Sequence, residues 1–406
     1  MKKICLTLGT AALLCAGAAA QAQKKYDPGA SDTEIKIGQT MPYSGPLSAF
    51  GLEGRVEAAY FAMLNDKGGI NGRKVMLLSF DDGYSPPKTV EQTRKLVEGE
   101  NVLAIVSTLG TAPNIAIQKY LNARKVPQLL VLSGASRWED PVGAPWSMSF
   151  FPAYESEAKI FAKYLLQNKP DAKIGTLSLN GDVGGDFMRG LHEGLGDKAA
   201  SMIVKETTYD SSDTSVDSQV LSLQAAGADT LILAAVGKFP AQAIRKAHDI
   251  GWKPLTMLFS AASSVKTSLE PAGPLERAVG FMSTVWMKAP GEPQWVGDQG
   301  AQTYLDFMKK YLPDVNPGDE IPAVGYTEAQ LAAYILQKCG DNLTRENLMR
   351  QATSLKNVSL DLTLPGVTLN NSPDARNPIK QFQMVQFDGK IWVPVGRILE
   401  AETATH

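Results

Sequence analysis

The sequence predicts an α/β protein of two doubly wound parallel-sheet lobes with a ligand cleft between them. Three observations carry that expectation. Short, almost wholly apolar β-rich runs alternate with longer stretches of helical period; these alternations fall into two series; and a chain of 406 residues is long enough for about two domains. Strands that are apolar throughout, each followed by a helix, belong to parallel sheets covered on both faces.

At the amino end, Lys2 and Lys3 precede an apolar stretch from Ile4 to Ala19, and Ala20 and Ala22 give an A-x-A cleavage pattern. Residues 1–22 therefore read as a secretory signal peptide, since the apolar run is shorter than the ~20 residues a bilayer crossing needs. Leu14 stands before Cys15, where lipoprotein processing requires a small residue. The expected product is soluble and starts near Gln23.

A polar leader, residues 23–33, opens the mature chain. The first series of strands is then expected from Ile35, Val75, Val102 and Pro127, and the second from Ile174, Met202, Thr230 and Pro254. Helices are expected between them over Gly54–Asn65, Lys88–Glu98, Asn114–Arg124, Glu155–Gln167, Asp186–Leu195, Asp213–Ala225 and Ala241–Asp249. Crossings between lobes fit near Phe150–Ala153 and Phe281–Trp286. Helical period returns over Gln294–Gln351. The tail, KQFQMVQF, Asp388-Gly389, then KIWVPVGRI, reads as a hairpin added to a sheet edge.

The chain carries 40 basic and 42 acidic residues, and loss of Lys2 and Lys3 leaves 38 against 42. That balance suggests neither nucleic acid nor an anionic membrane surface as partner. Three scattered histidines and a single mature cysteine, Cys339, predict no metal site, no internal disulfide and no cofactor.

In open parallel sheets ligands bind beyond the carboxyl ends of the strands, where loops lead into helices. Three first-lobe loops there are rich in small and hydroxyl residues: PYSGPLSAFG, LGTAPN and SGASRWED. Unpaired N–H groups and the positive end of a helix dipole favour an anionic group at such places. Helix capping explains an isolated hydroxyl equally well, but three equivalent loops in one lobe point to a site.

The segment MPYSGPLSAFGLEGRVEAAYFAMLNDKGGINGRKVMLLSFDDGYSPPKTVEQTRKLVE resembles the opening of the type I periplasmic binding proteins of the branched-chain amino acid transporter family. The likeness continues through LGTAPNIAIQKYLNARKVP and SGASRWED to GYTEAQLAAY. It implies two lobes joined by three hinge crossovers, with residues 34–151 and 282–364 in lobe 1 and 152–281 and 365–406 in lobe 2. It implies a periplasmic location and capture of a small molecule by cleft closure. An inner-membrane ABC permease is the expected partner, with a separate membrane receptor as the alternative.

Carried over residue by residue, the resemblance puts Thr111 at the ligand carboxylate, beside Leu109. Gly134, Ala135 and Ser136 complete that grip, and Phe50 lines the pocket. Where amino acid binders have a tyrosine, this chain has Val183 in Asp182-Val183-Gly184; where they have an acid, it reads Ala261-Ala262-Ser263-Ser264. A sealed ammonium without a partner costs several kcal/mol. The expected ligand is therefore a small carboxylate lacking an α-ammonium, aromatic or aliphatic, walled by Tyr154, Val183 and Phe239, with Trp138 a further candidate. The alternative is an aliphatic amino acid.

Catalysis is not expected. Gly181–Phe187 lacks both the GK[ST] ending of a P-loop and the G-x-G-x-x-G spacing, and Asp81 and Asp82 are adjacent on a strand and point to opposite faces.

Overall fold

The computed structural model of the chain describes residues 24–401. The expected signal peptide, with Cys5 and Cys15, lies outside the described residues. Fourteen strands run in the order β1 (Lys25–Tyr26), β2 (Glu34–Met41), β3 (Lys74–Asp81), β4 (Ile105–Val106), β5 (Gln128–Val131), β6 (Ser147–Ser149) and β7 (Ile174–Leu179). Then come β8 (Ile203–Tyr209), β9 (Thr230–Ala234), β10 (Leu255–Leu258), β11 (Met282–Val285), β12 (Asn342–Leu343), β13 (Gln381–Phe387) and β14 (Trp392–Glu400).

Two principal sheets result. The first has the order β3-β2-β4-β5-β6 and is parallel throughout. The second, β14-β13-β11-β10-β9-β7-β8, is parallel from β11 to β8 and ends in the antiparallel hairpin β13–β14. Strand β1 pairs separately with β12. Strands Gln128–Val131 and Thr230–Ala234, whose sequences are nearly continuous apolar runs, are buried throughout.

The chain passes three times between the sheets. The first passage, Phe150–Ala153, lies where expected. The second does not: β11 pairs with β10 and β13, so the boundary at 282 moves to after Val285. The third also moves, from 365 to between Asn377 and Gln381, because the preceding segment stays bonded to the first lobe. Arg376 Nη1 donates to the carbonyls of Ala144 (2.7 Å) and Ser147 (3.0 Å). The passages are tied to one another: Asn377 Nδ2 donates to Phe151 O at 2.8 Å, and the rings of Phe150 and Trp286 meet edge to face at 5.4 Å.

The helix expected from Asp213 begins later, at Asp217, whereas most helices begin slightly earlier than expected. One spans Thr111–Arg124 and another Tyr154–Asn168, so Thr111 and Tyr154 become first-turn residues. The helix Asp182–Leu195 packs closely on Tyr154–Asn168, for Gly190 faces the backbone of Glu155 and leaves no room for a Cβ. That contact fixes which face of Asp182–Leu195 turns to the first lobe. Among the described residues no helix is long and apolar enough to cross a membrane, and no group of three His, Cys, Asp or Glu side chains could hold a metal ion.

Candidate ligand site between the lobes

Beyond the carboxyl end of β4, Leu109 bridges to Leu132 and the chain then turns at Gly110, φ +91°, into the helix that starts at Thr111. The Thr111 hydroxyl lies 2.8 Å from that of Ser133, in the loop after β5. Ser133 Oγ also accepts from Ala135 N at 3.3 Å. Two hydroxyls thus meet at a helix start whose dipole favours negative charge.

Tyr154 reaches the same point from the start of the second lobe. Its amide donates to Gly134 O at 3.0 Å. Burial pushes its phenol pKa up, while the neighbouring Thr111 hydroxyl, Gly134 amide and Ser133 hydroxyl pull the other way. Gly134 has no space for a side chain, because a Cβ there would overlap the Pro152 carbonyl and the Tyr154 ring.

The expected residues therefore divide. Thr111, Gly134 and Tyr154 come together, with Leu109 and the buried Ala135 directly behind them. Ser136 engages the second lobe instead: its amide donates to Asp186 Oδ2 at 2.7 Å, and its Oγ accepts from Arg189 Nη2 at 3.3 Å. The hydroxyl that meets Thr111 is Ser133, three residues earlier. Phe50 ends a short turn before the helix Gly51–Asp66 and is half-buried. Val183 and Phe239 keep 8% and 5% exposure and Trp138 keeps none, and all three are packed in the hydrophobic core.

Sequence reasoning missed several further groups. Asp182, Asp186 and Arg189 share a helix face by their spacing, and that face meets the first lobe. Arg137 Nε donates to Asp182 Oδ2 at 2.6 Å, while Arg189 pairs with Asp186 and with Glu155. A second lobe-to-lobe ion pair joins Lys266 to Asp319 at 2.7 Å. Another missed group is Tyr84, whose ring covers Gly110. Behind these, the Tyr209 ring packs at a tilt on Phe239 with ring centres 4.1 Å apart, and its hydroxyl accepts from Val236 N at 2.8 Å.

One buried acid of the second lobe is fully engaged elsewhere. Glu157 accepts from Ser260 N, from Ser260 Oγ at 3.0 Å and from Thr284 Oγ1. Burial pushes its pKa up to about 7 against the pull of those bonds.

Known proteins share this fold. The chain is 26% identical over 267 residues to the Leu/Ile/Val-binding protein homolog 7 of Brucella suis, a match covering 63% of this chain and 62% of that relative, so less than two thirds of its length. Two solved structures superpose with a TM-score of 0.77. One, a branched-chain amino acid ABC transporter from Thermus thermophilus with bound valine, is 16% identical and covers 91% of this chain and 97% of its own. The other, a fatty acid ABC transporter substrate-binding protein from Thermomonospora curvata, is 22% identical and covers 93% and 95%. The family described as periplasmic binding protein matches residues 34–390, from β2 into the final hairpin. Spanning both lobes and all three passages between them, that match shows that the chain belongs to the periplasmic binding protein family.

Proposed function

We propose that this protein captures a small carboxylate without an α-ammonium between its lobes and delivers it to an inner-membrane ABC permease. The observation that carries the reading is the convergence of the Thr111 and Ser133 hydroxyls, the Gly134 amide and the Tyr154 phenol at a helix start. Such a group of donors suits an anionic oxygen pair. Tyr154 comes from the second lobe, so a ligand held there touches both lobes and favours closure. The role is binding and delivery without bond-making.

The absence of an ammonium partner follows from how the nearby acids are used. Asp182 is paired with Arg137, and Asp186 with Arg189 and the Ser136 amide. The related structures are named for a fatty acid transporter in one case and hold valine in another, which agrees with a carboxylate common to both ligand types. Export by the expected signal peptide would place the protein in the periplasm, and amino-terminal sequencing of the mature chain tests that.

A second reading keeps an aliphatic α-amino acid as ligand. It rests on Asp186, which reaches the lobe boundary with 6% exposure and would receive an ammonium on giving up the Ser136 amide. Thermal unfolding against benzoate, phenylacetate, hexanoate, leucine and valine separates the two, because a ligand bound only by the folded state raises its stability. Stabilisation by the simple acids alone supports the first reading. Stabilisation by leucine or valine alone supports the second, and a flat response to all five rejects both.

A further inference from the structure

We infer that Tyr84 determines which carboxylate the cleft accepts, by setting how far a ligand's body can lie over Gly110; this rests on the carboxylate reading above. Tyr84 has φ +59°, and among the described residues it is the only aromatic with a positive φ. A non-glycine residue held there costs of order 1 kcal/mol and persists only when its surroundings enforce it.

Here they do. The preceding turn is held by Asp82, whose carboxylate accepts from Tyr84 N at 2.8 Å and from Thr89 Oγ1 at 2.9 Å, while its carbonyl accepts from Ser85 N at 2.9 Å. Asp82 is itself buried, so the turn is fixed from inside the lobe.

What the strained turn achieves is the placement of one ring. A Cβ at Gly110 would overlap the Tyr84 ring and hydroxyl, so the phenol fills the space directly over the residue that precedes Thr111. Two second-lobe phenols, Tyr154 and Tyr209, are close enough to oppose the ionisation of Tyr84, after burial, which raises its pKa most. Tyr209 in turn lies on Phe239. A ligand anchored at Thr111 and Ser133 therefore extends its body between aromatic faces, with Tyr84 as the floor on the first-lobe side. Acids with a short body fit against such a floor, and longer ones meet the Tyr84 ring.

The test is calorimetry of wild type, Tyr84→Gly and Tyr84→Phe with two size pairs, benzoate against 2-naphthoate and hexanoate against decanoate. Glycine adopts the positive φ without strain, so Tyr84→Gly should keep the turn. Tyr84→Asn, which also tolerates that φ, serves the same purpose if it does not. The expected result is a shift of about tenfold or more in the ratio of the two Kd values of a pair toward the larger acid in Tyr84→Gly, with the wild-type ratio kept in Tyr84→Phe. An unchanged ratio, or an equal loss for both members of a pair, overturns the role of Tyr84 and leaves the carboxylate reading standing. Wild type that binds none of the four acids overturns both.

Discussion

Arg137 and Asp182 face each other at 2.6 Å across the boundary between the lobes, each side chain about a third exposed (37% and 32%). The pair favours the closed arrangement whether or not a ligand is present. Such a partly screened contact contributes roughly 0.5–1 kcal/mol, and apparent affinity scales with the closed population. Arg137→Gln should therefore weaken ligand binding about two- to fivefold. Wild-type affinity should fall between about 50 mM and 500 mM salt more steeply than that of the variant. Equal salt dependence in titrations of the two would show that the pair has no part in closure.

The hydroxyl pair Thr111 and Ser133 bears on affinity more directly. Thr111→Val or Ser133→Ala should each weaken carboxylate binding about tenfold, a loss near 1.4 kcal/mol. Because the two hydroxyls are bonded to each other, the double variant should lose less than the sum. Calorimetric Kd values of the four proteins test this, with thermal unfolding midpoints to show intact folds.

Stability should fall as pH rises, for a reason remote from the cleft. Glu53, Glu57 and Glu328 are buried together between the helices Gly51–Asp66 and Glu320–Cys339, and neither carboxylate oxygen of Glu328 has a hydrogen-bond partner. Burial first, and mutual repulsion second, hold Glu53 and Glu328 well above the ordinary value of 4.5; burial pushes Glu57 up to about 8 despite its bond from Gln39. The folded state then keeps protons that the unfolded chain releases, so stability is greatest below about pH 4.5 on this account and declines up to about pH 8. Glu328→Gln should raise the melting midpoint by several degrees at pH 8 and little at pH 5, as read by calorimetric scans. An equal shift at both values would remove the explanation.

Gly134→Ala should cost about 1–3 kcal/mol in urea unfolding, since its Cβ would overlap the Pro152 carbonyl at the first passage between lobes. A neutral result would mean that the passage moves aside freely.

The architecture was legible because its strands are apolar on both faces, and the exceptions show the limit. Ser147–Ser149 forms β6 although two of its three residues are serines, so it carries no apolar run to read. In Val102–Thr108, expected as one strand, only Ile105 and Val106 pair in the ladder while the rest are buried without it. Met282–Val285 looked like a passage because it is short, and its place in the second sheet depends on β13, which lies far along the chain. At the site, composition marked the loop Ser133–Ser136 as rich in hydroxyls but could not say which serine meets Thr111. The answer depends on the turn at Gly134 against Pro152, a contact with the hinge. Asp186 escaped notice because its partner belongs to the other lobe, and Tyr84 because a backbone angle leaves no trace in residue type.

The interleaving of the two lobes has a consequence for synthesis. Tyr60 and Phe61 are buried in the first lobe, and the Tyr60 ring lies 5.1 Å from that of Tyr326, on a helix made late. The second sheet likewise waits for β13 and β14 to cover β11. A growing chain thus finishes neither half until its carboxyl-terminal segments arrive, and its most separated contacts are also among its most buried. Folding should be slow, as in other chains dominated by distant contacts. Until the last strands emerge, neither lobe is complete enough to resist passage through a narrow channel.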